Sequence, residues 1–332
     1  MSAEKVRTRE IDSKMAEIYK DFLPERIFDA HIHMYFKDVI PGFYGPSGTF
    51  YMDAATPEDY TATLQPVFPG VKQFRLNMMP MPDLALNDLS NGLRDQANGY
   101  VASLANKNPE HVASAYILPS DTEEMIGDMV ADPMVRAMKP YAFTVPAERR
   151  ANAAIGDFLP EAAWVVANAK RIPIILHMMR AKSLSDPDNL AYINDMTARY
   201  PDAPLVLAHC ARGFASWTAV NQIRNLADHN NIWFDMAAIC ESGPMMASIM
   251  KNHAKRVMWG TDWPICLRRG RAISMTNDQL WLSEEEGQDC GYALMTAESL
   301  LAFYQTAILL DLDQTQIDDI FYHNACALFD QN

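Results

Sequence analysis

Eight short apolar runs alternate with helical segments along the chain, and this alternation restricts the fold more than any other feature. We predict strands at residues 26–32, 71–76, 112–118, 135–141, 172–177, 204–209, 232–236 and 256–260. These runs are apolar throughout, which is typical of parallel strands that are buried on both faces. Helical patterns occupy most of the intervening segments.

Eight strand–helix units predict a closed (β/α)8 barrel of the α/β class. The rival is an open doubly wound sheet, whose first strand is normally followed by a glycine-rich phosphate loop. Residues 31–36, which follow the first run, contain no glycine. We therefore expect one barrel domain over residues 1–332, with a helical extension at residues 1–25 and an insertion at residues 265–295 after strand 8.

Polar side chains stand at the ends of most predicted strands. In chain order they are His31, His33, Arg75, Lys139, His177, His209 and Asp262. His31 and His33 are two residues apart, so a strand presents both imidazoles on one face. Active-site groups of such barrels lie at the carboxyl ends of the strands, so we expect these residues at one mouth. The loop at residues 36–56 and the insertion are expected at the same mouth.

Imidazoles and a carboxylate at one mouth favour a metal site, because these ligands together suit Zn²⁺, Mn²⁺ or Fe²⁺. A catalytic metal keeps one position open for water and lowers the pKa of that water towards neutrality. A carboxylate beside both metal and water can then carry the proton.

Three arginines closely follow predicted strands: Arg75, Arg180 and Arg212. Each taken alone is more often a loop salt bridge. Together at one mouth they predict an anion site, since guanidinium groups match carboxylates. With Lys139 they are our candidate substrate-binding residues, and the salt-bridge interpretation stays open beside this one.

The composition restricts the partners. The chain has 28 Lys and Arg against 42 Asp and Glu, a net charge of −14, which argues against nucleic acid and anionic membranes as partners. It contains no apolar run long enough to span a membrane, and residues 1–14 lack the apolar core of a secretory signal. Five widely spaced cysteines without a CxxC pair favour reduced thiols. We expect a cytoplasmic protein that binds a small anionic metabolite, either as a monomer or as a homo-oligomer.

The motifs resemble the amidohydrolase superfamily, and most closely its second, amidohydrolase-related subfamily. The matching features are His31-Ile32-His33, His177, His209 and the stretch Trp259-Gly260-Thr261-Asp262-Trp263-Pro264. Residues 317–325 are similar to the terminal helix-plus-asparagine segment of that group, so the resemblance spans residues 26–329. The group holds lactonases, other hydrolases and non-oxidative decarboxylases.

The resemblance implies a role for each matching position. The ligands of one divalent metal, with Zn²⁺ favoured over Mn²⁺ and Fe²⁺, match His31, His33, His177 and Asp262. His209 matches a histidine that assists catalysis or binds a second metal, and Asp262 also matches the residue that moves the proton. Lys139 lies where some members carry a carbamylated lysine, although a substrate contact or a salt bridge is the simpler interpretation. Some lactonases of this kind use arginines and an aspartate base without metal, and this alternative stays open.

The favoured function is that of an amidohydrolase-type hydrolase acting on a small carboxylated lactone, ester or amide. Metal or arginine would polarise the carbonyl, and Asp262 would deprotonate the attacking water. The alternative is a lyase, a metal-dependent non-oxidative decarboxylase or a hydratase of an aromatic or unsaturated carboxylic acid, because the same ligands serve both reactions. A non-catalytic metabolite binder is a third class, which the intact set of ligands and base disfavours.

Overall fold

Eight parallel strands follow one another around a single sheet, in sequence order. The computed structural model describes residues 8–43, 52–275, 278–284 and 289–331. The strands are β1 (Arg26–Met34), β2 (Gln73–Pro80), β3 (Val112–Ile117), β4 (Val135–Pro140), β5 (Ile174–Leu176), β6 (Leu205–Leu207), β7 (Ile232–Asp235) and β8 (Val257–Met258). The predicted α/β barrel is confirmed.

The barrel closes between the segment after β8 and β1. The backbone amide of Asp262 donates to the His31 carbonyl at 2.8 Å, and the amide of His33 donates to the Trp263 carbonyl at 2.7 Å. A parallel bridge joins Ile32 to Trp263. Because these hydrogen bonds involve the backbone of the site residues themselves, the closure places His31, His33 and Asp262 side by side.

A buried carboxylate reinforces the closure. Asp29 is fully buried in β1 and accepts hydrogen bonds from the Thr261 amide (3.0 Å), the Thr261 hydroxyl (2.6 Å) and the Tyr60 hydroxyl (2.8 Å). Burial raises the pKa of Asp29 to about 7, although these hydrogen bonds favour its charged form. Asp29 therefore links β1 to the turn that carries Asp262.

Helices connect the strands and cover the barrel. The helices Pro57–Leu64 and Pro187–Arg199 each begin with proline, which suits the first helical position. The residue before each proline, Thr56 or Asp186, is the N-cap, and its side chain accepts a hydrogen bond from a backbone amide of the first turn. The described residues also form helices at Glu10–Tyr19, Leu93–Lys107, Glu123–Met129, Ala147–Arg150, Glu161–Lys170, Ser216–Val220, Ser242–Asn252, Met295–Leu309, Gln314–Asp318, the π-helix Asp319–His323, and Asn324–Phe329.

Among the described residues, two buried clusters form the core. The smaller one contains at least one residue from each of the eight strands, so it fills the inside of the barrel. It joins Leu328 and Phe329 of the last helix to residues that include Phe28, Met79, Val112, Ala137, Ile175, Val206, Trp233 and Met258. Phe28 and Phe329 lie 5.5 Å apart near the start of β1, so the last helix covers the amino-terminal mouth. The carboxyl-terminal mouth is left for polar side chains.

The prediction that strand 2 ends near residue 76 is wrong. The strand continues to Pro80, because Asn77, a poor strand former, is fully buried with its side chain satisfied. Its amide group donates to the Ala30 carbonyl at 2.9 Å and its oxygen accepts from the Ser114 hydroxyl at 2.8 Å. Arg75 consequently lies near the beginning of β2.

Strand 6 is also shorter than predicted. It ends at Leu207, and residues 209–212 have φ between 49° and 59°, a left-handed turn. The amide of His209 donates to the Asp235 carboxylate at 2.9 Å, which a continuing strand would not permit. The helix that follows this turn is short and ends at Val220. The turn reverses the chain close to the barrel mouth.

Both predicted mouth segments lie at the carboxyl-terminal end of the barrel. In the loop at residues 36–56, the Gly42 amide donates to Asp83, just after β2, at 2.8 Å. The ring of Phe43 packs 5.8 Å from that of Phe143, just after β4. Residues 44–51 of this loop are outside the described residues.

The insertion after β8 forms an antiparallel hairpin of β9 (Gly270–Ser274) and β10 (Gln279–Ser283). Its residue Ser274 contacts Ser216 and Glu241, which follow β6 and β7. Across the described ranges, no helix is long and apolar enough to cross a membrane.

Candidate active site

Three strand ends bring four of the predicted polar residues together at the carboxyl-terminal mouth. His31 and His33 lie on β1, with ring centroids 5.3 Å apart. Asp262 follows β8, and its Oδ1 lies 3.0 Å from Nε2 of His33 and 3.6 Å from Nε2 of His31. His209, after β6, lies with its ring 4.9 Å from that of His31. His31, His33, Asp262 and His209 thus form one buried group.

Asp235 belongs to the same group, and the sequence analysis missed it. It is fully buried at the end of β7, and its Oδ2 accepts from Nδ1–H of His31 at 3.0 Å. Burial alone would raise the pKa of Asp235, but the neighbouring imidazole of His31 lowers that pKa to about 2. The signal was present in the sequence, because Ile232-Trp233-Phe234-Asp235 is another apolar run that ends in an acid.

The hydrogen bonds at Nδ1 assign the tautomers of two histidines. His31 donates from Nδ1 to a carboxylate, and His209 donates from Nδ1 to the Ala237 carbonyl at 2.8 Å. Both residues are left with a lone pair on Nε2. Burial, together with the charge of Lys139, lowers the pKa of His31 to about 3, so this imidazole is neutral near pH 7.

The tautomer of His33 follows from its neighbours. The Tyr141 hydroxyl donates to the Pro80 carbonyl at 2.7 Å, so its oxygen accepts from Nδ1–H of His33 at 3.2 Å. The Nε2 lone pair of His33 then lies 3.0 Å from the Asp262 carboxylate. Two acceptors at this distance repel each other unless a proton or a metal ion lies between them. Two ligands of one ion, with bonds of about 2.0–2.2 Å, have about this spacing.

The donor set therefore fits a metal ion. Two groups of three residues, each offering one ligand atom, have those atoms within 4.8 Å of one another: His31 with His33 and Asp262, and His31 with His209 and Asp235. The first group contains three of the four ligands that the resemblance implies. Burial by itself would raise the pKa of Asp262, whereas a proton between Nε2 of His33 and the carboxylate, as a hydrogen bond from His33, lowers that pKa below its usual value.

His177, the fourth implied ligand, belongs to neither group but is hydrogen-bonded to His209 of the second one. Its Nδ1 is 3.2 Å from Nε2 of His209, and the two rings are 4.8 Å apart. Burial, followed by the effect of His209, lowers the pKa of His177 well below the usual value. It is therefore a neutral imidazole that extends the site towards β5.

Lys139 reaches the centre of the site from β4. Its Nζ lies 3.2 Å from Nε2 of His31, and the side chain is fully buried. Burial lowers the pKa of Lys139 to about 8, against the opposing effect of Asp235 and Asp262. An ammonium group thus faces the same lone pair that a metal ion would use.

The three arginines have different environments. Arg75 lies near the amino-terminal end of β2, where its guanidinium binds both carboxylate oxygens of Asp330 (2.5 and 2.7 Å) and stacks on Phe28. The prediction that Arg75 stands at the site mouth is wrong, because β2 continues to Pro80 and Arg75 lies near the beginning of this strand. Arg180 lies after β5, but its guanidinium binds Asp186 at 2.7 Å and Asp188 at 2.8 Å, as a loop salt bridge does.

Arg212 lies at the end of the left-handed turn after β6. Its side chain donates to the Arg180 carbonyl at 3.3 Å and to the Ser183 hydroxyl at 3.2 Å. Within the described part of the chain it forms no ion pair with a carboxylate. Its charge also lowers the pKa of His177, so it lies close to the site. Of the three arginines, it is the one placed to receive an anion.

Gly260 shows how closely the site is packed. A Cβ atom at this position would lie 3.1 Å from Cβ of His31 and 3.2 Å from Cβ of Ala237. Only glycine lets the segment after β8 approach β1 this closely. The glycine of the Trp259–Pro264 motif therefore serves the placement of Asp262 beside His31.

The sequence profile of the amidohydrolase family matches residues 28–331. The chain belongs to the amidohydrolase family. The resemblance inferred from the motifs is confirmed, and this amidohydrolase is an enzyme. No curated protein matches its sequence.

Solved structures of several enzymes share its fold. An amidohydrolase from Burkholderia multivorans with bound zinc is 13% identical, with a TM-score of 0.58 over 92% of this chain and 99% of that one. The 5-carboxyvanillate decarboxylase of Sphingomonas paucimobilis is 12% identical, with a TM-score of 0.54 over 92% and 99%. The 4-oxalomesaconate hydratase of Rhodopseudomonas palustris is 14% identical, with a TM-score of 0.58 over 92% and 95%. At these identities the likeness concerns the fold.

Proposed function

We propose that this amidohydrolase is a metal-dependent hydrolase of a small carboxylated lactone, ester or amide. The observation that carries the proposal is the convergence of the Nε2 lone pairs of His31 and His33 on the Asp262 carboxylate. The protein's own hydrogen bonds fix these tautomers, and acceptors that fix ligand tautomers are a regular part of metal sites. The zinc in the Burkholderia amidohydrolase supports a divalent ion.

The ligands would be His31, His33 and Asp262, with His177 completing the set. A bound divalent ion supplies a Lewis acid that polarises the substrate carbonyl and acidifies water. Asp262 would act as the general base that accepts the proton of the attacking water. Asp235 holds His31 in the ligating tautomer. His209, whose ring lies 4.9 Å from that of His31, would assist catalysis.

Arg212 and Lys139 would bind the substrate. The guanidinium of Arg212 forms a charged contact with the substrate carboxylate, since it has no carboxylate partner among the described residues. The ammonium of Lys139 donates to a substrate oxygen near His31. We further propose that the substrate is a small anionic metabolite and that the enzyme acts in the cytoplasm.

Replacing Arg212 tests this assignment. We expect Arg212→Gln to raise KM for a carboxylated substrate by about 10- to 100-fold, with kcat changing much less, because a charged hydrogen bond is lost in both ground and transition states. Arg212→Lys should have an intermediate effect. Steady-state kinetics on the acid and on its uncharged methyl ester would measure both parameters.

Arg171→Gln is the matched control, because Arg171 pairs with Asp202 on the surface. It should leave KM unchanged. An equal loss for the acid and the ester in Arg212→Gln would contradict a carboxylate-binding role.

A lyase reaction is the second candidate, and the decarboxylase and the hydratase among the structural neighbours favour it. In that case Lys139 and Asp262 would deliver a proton to a substrate carbon. Turnover in D₂O distinguishes the two reactions. Decarboxylation or hydration places deuterium on carbon in the product, whereas hydrolysis leaves every C–H bond unlabelled and produces a new carboxylate. Mass spectrometry of the product reads the result directly.

A further inference from the structure

The hairpin of β9 and β10 contributes an aromatic side chain to the site. The ring of Phe214, two residues after Arg212, lies 5.1 Å from the ring of His209. The indole of Trp281, on β10, lies 5.1 Å from the ring of Phe214. Trp281 and Phe214 thus form a continuous aromatic wall that begins at a site histidine.

The wall is fixed in position. Ser274 of β9 accepts from the Ser216 amide at 2.6 Å and donates to the Glu241 carboxylate at 2.5 Å. Arg271 donates to the Cys240 carbonyl at 2.5 Å and to Glu298 at 3.1 Å. The hairpin is therefore attached to the segments that follow β6 and β7, close in the chain to His209 and to Asp235, the last residue of β7.

The two faces of the hairpin differ. Trp281 pairs across the hairpin with Ala272, which is buried, so this face packs towards the protein. Leu280 points the opposite way and is 48% exposed. Trp281 packs on Phe214, yet 39% of its surface remains exposed. This exposed aromatic surface contacts Phe214, which follows Arg212 by two residues. The charge of Asp278, next to β10, acts on the Arg212 guanidinium, so Arg212 lies near the hairpin, although it forms no ion pair among the described residues.

We infer that Trp281, with Phe214, determines specificity by stacking on a planar, unsaturated group that adjoins the substrate carboxylate. The inference rests on the proposed function, because it takes Arg212 as the carboxylate-binding group. Aromatic rings stack preferentially on other π systems, beyond the apolar area that they cover. A planar acid would place its carboxylate at Arg212 and its ring or conjugated chain against Trp281.

Binding of two simple acids tests the inference without turnover. Benzoate and cyclohexanecarboxylate carry the same charge at similar size, and only benzoate is planar. Calorimetric titration should show that the wild-type protein binds benzoate several-fold more tightly. Trp281→Ala should weaken benzoate binding by about tenfold and bring the ratio of the two dissociation constants close to one. Trp281→Phe should restore most of the preference.

Leu280→Ala is the matched control, since it removes a neighbouring apolar side chain from the opposite face of the hairpin. The ratio of the two dissociation constants in this variant should equal that of the wild type. A wild-type ratio near one, an unchanged ratio in Trp281→Ala, or no binding of either acid would each overturn the inference. If only the hydrolase proposal fails, the turnover assays show no reaction of any acid, ester or lactone. The binding assay still shows the preference for benzoate and its dependence on Trp281.

Discussion

Asp262→Asn is expected to lower kcat by a factor on the order of 10² or more, the usual scale for a positioned acid–base group. Asparagine has nearly the same size and cannot accept a proton at neutral pH. It also tolerates the backbone, because Asp262 has a φ of 63°, a conformation that Asn adopts more readily than most residues. The variant should therefore fold, and substrate binding should survive better than turnover.

Steady-state kinetics and thermal denaturation together check this expectation. The control is Asp228→Asn, which alters an exposed carboxylate paired with Lys251 far from the barrel mouth and should change neither quantity. Near-normal kcat in Asp262→Asn, combined with a lowered Tm, would instead make Asp262 an anchor of the segment after β8.

Asp12→Ala is expected to be the most destabilising change outside the site. Asp12 lies in the first helix, is fully buried, and binds Arg269 at 2.9 Å and the Leu294 amide at 2.8 Å. These contacts fasten the amino-terminal helix to both ends of the insertion. Removing one partner of a buried ion pair costs about 3–5 kcal/mol, because the remaining charge stays buried without its partner.

Urea denaturation would measure the loss in the free energy of unfolding. Glu10→Ala is the matched control in the same helix, since Glu10 pairs with Lys14 on the surface. It should leave the unfolding midpoint unchanged. Equal midpoints for Asp12→Ala and wild type would show that the Asp12–Arg269 pair adds nothing to stability.

The barrel was predictable because its strands are short apolar runs whose burial on both faces leaves a clear pattern. The carboxyl end of β2 was not predictable, because a polar residue such as Asn77 normally indicates the end of a buried strand. Only the three-dimensional structure supplies the Ala30 carbonyl and the Ser114 hydroxyl that satisfy it. The error moved Arg75 from one mouth of the barrel to the other.

The site was predictable where a polar residue follows an apolar run, as at His33 and Asp262. Partners that act through hydrogen bonds were harder to see. Tyr141, which fixes the tautomer of His33, is 108 residues away and reads as an ordinary core aromatic. The wall formed by Trp281 and Phe214 likewise depends on which loops become neighbours, and neither spacing nor composition encodes that.

The central claim is that the enzyme depends on a divalent metal ion, and metal content tests it most directly. The test is needed because Lys139 faces the same lone pair of His31 that a metal ion would bind. Elemental analysis should find about one equivalent of a divalent metal in protein purified without added metal or chelator. The double variant His31→Asn/His33→Asn should lose it, while His253→Asn, a change at an exposed histidine with a φ of 51°, should keep it. Less than about a tenth of an equivalent in active wild-type protein would contradict the metal-dependent account and favour catalysis by Lys139, Arg212 and Asp262 alone.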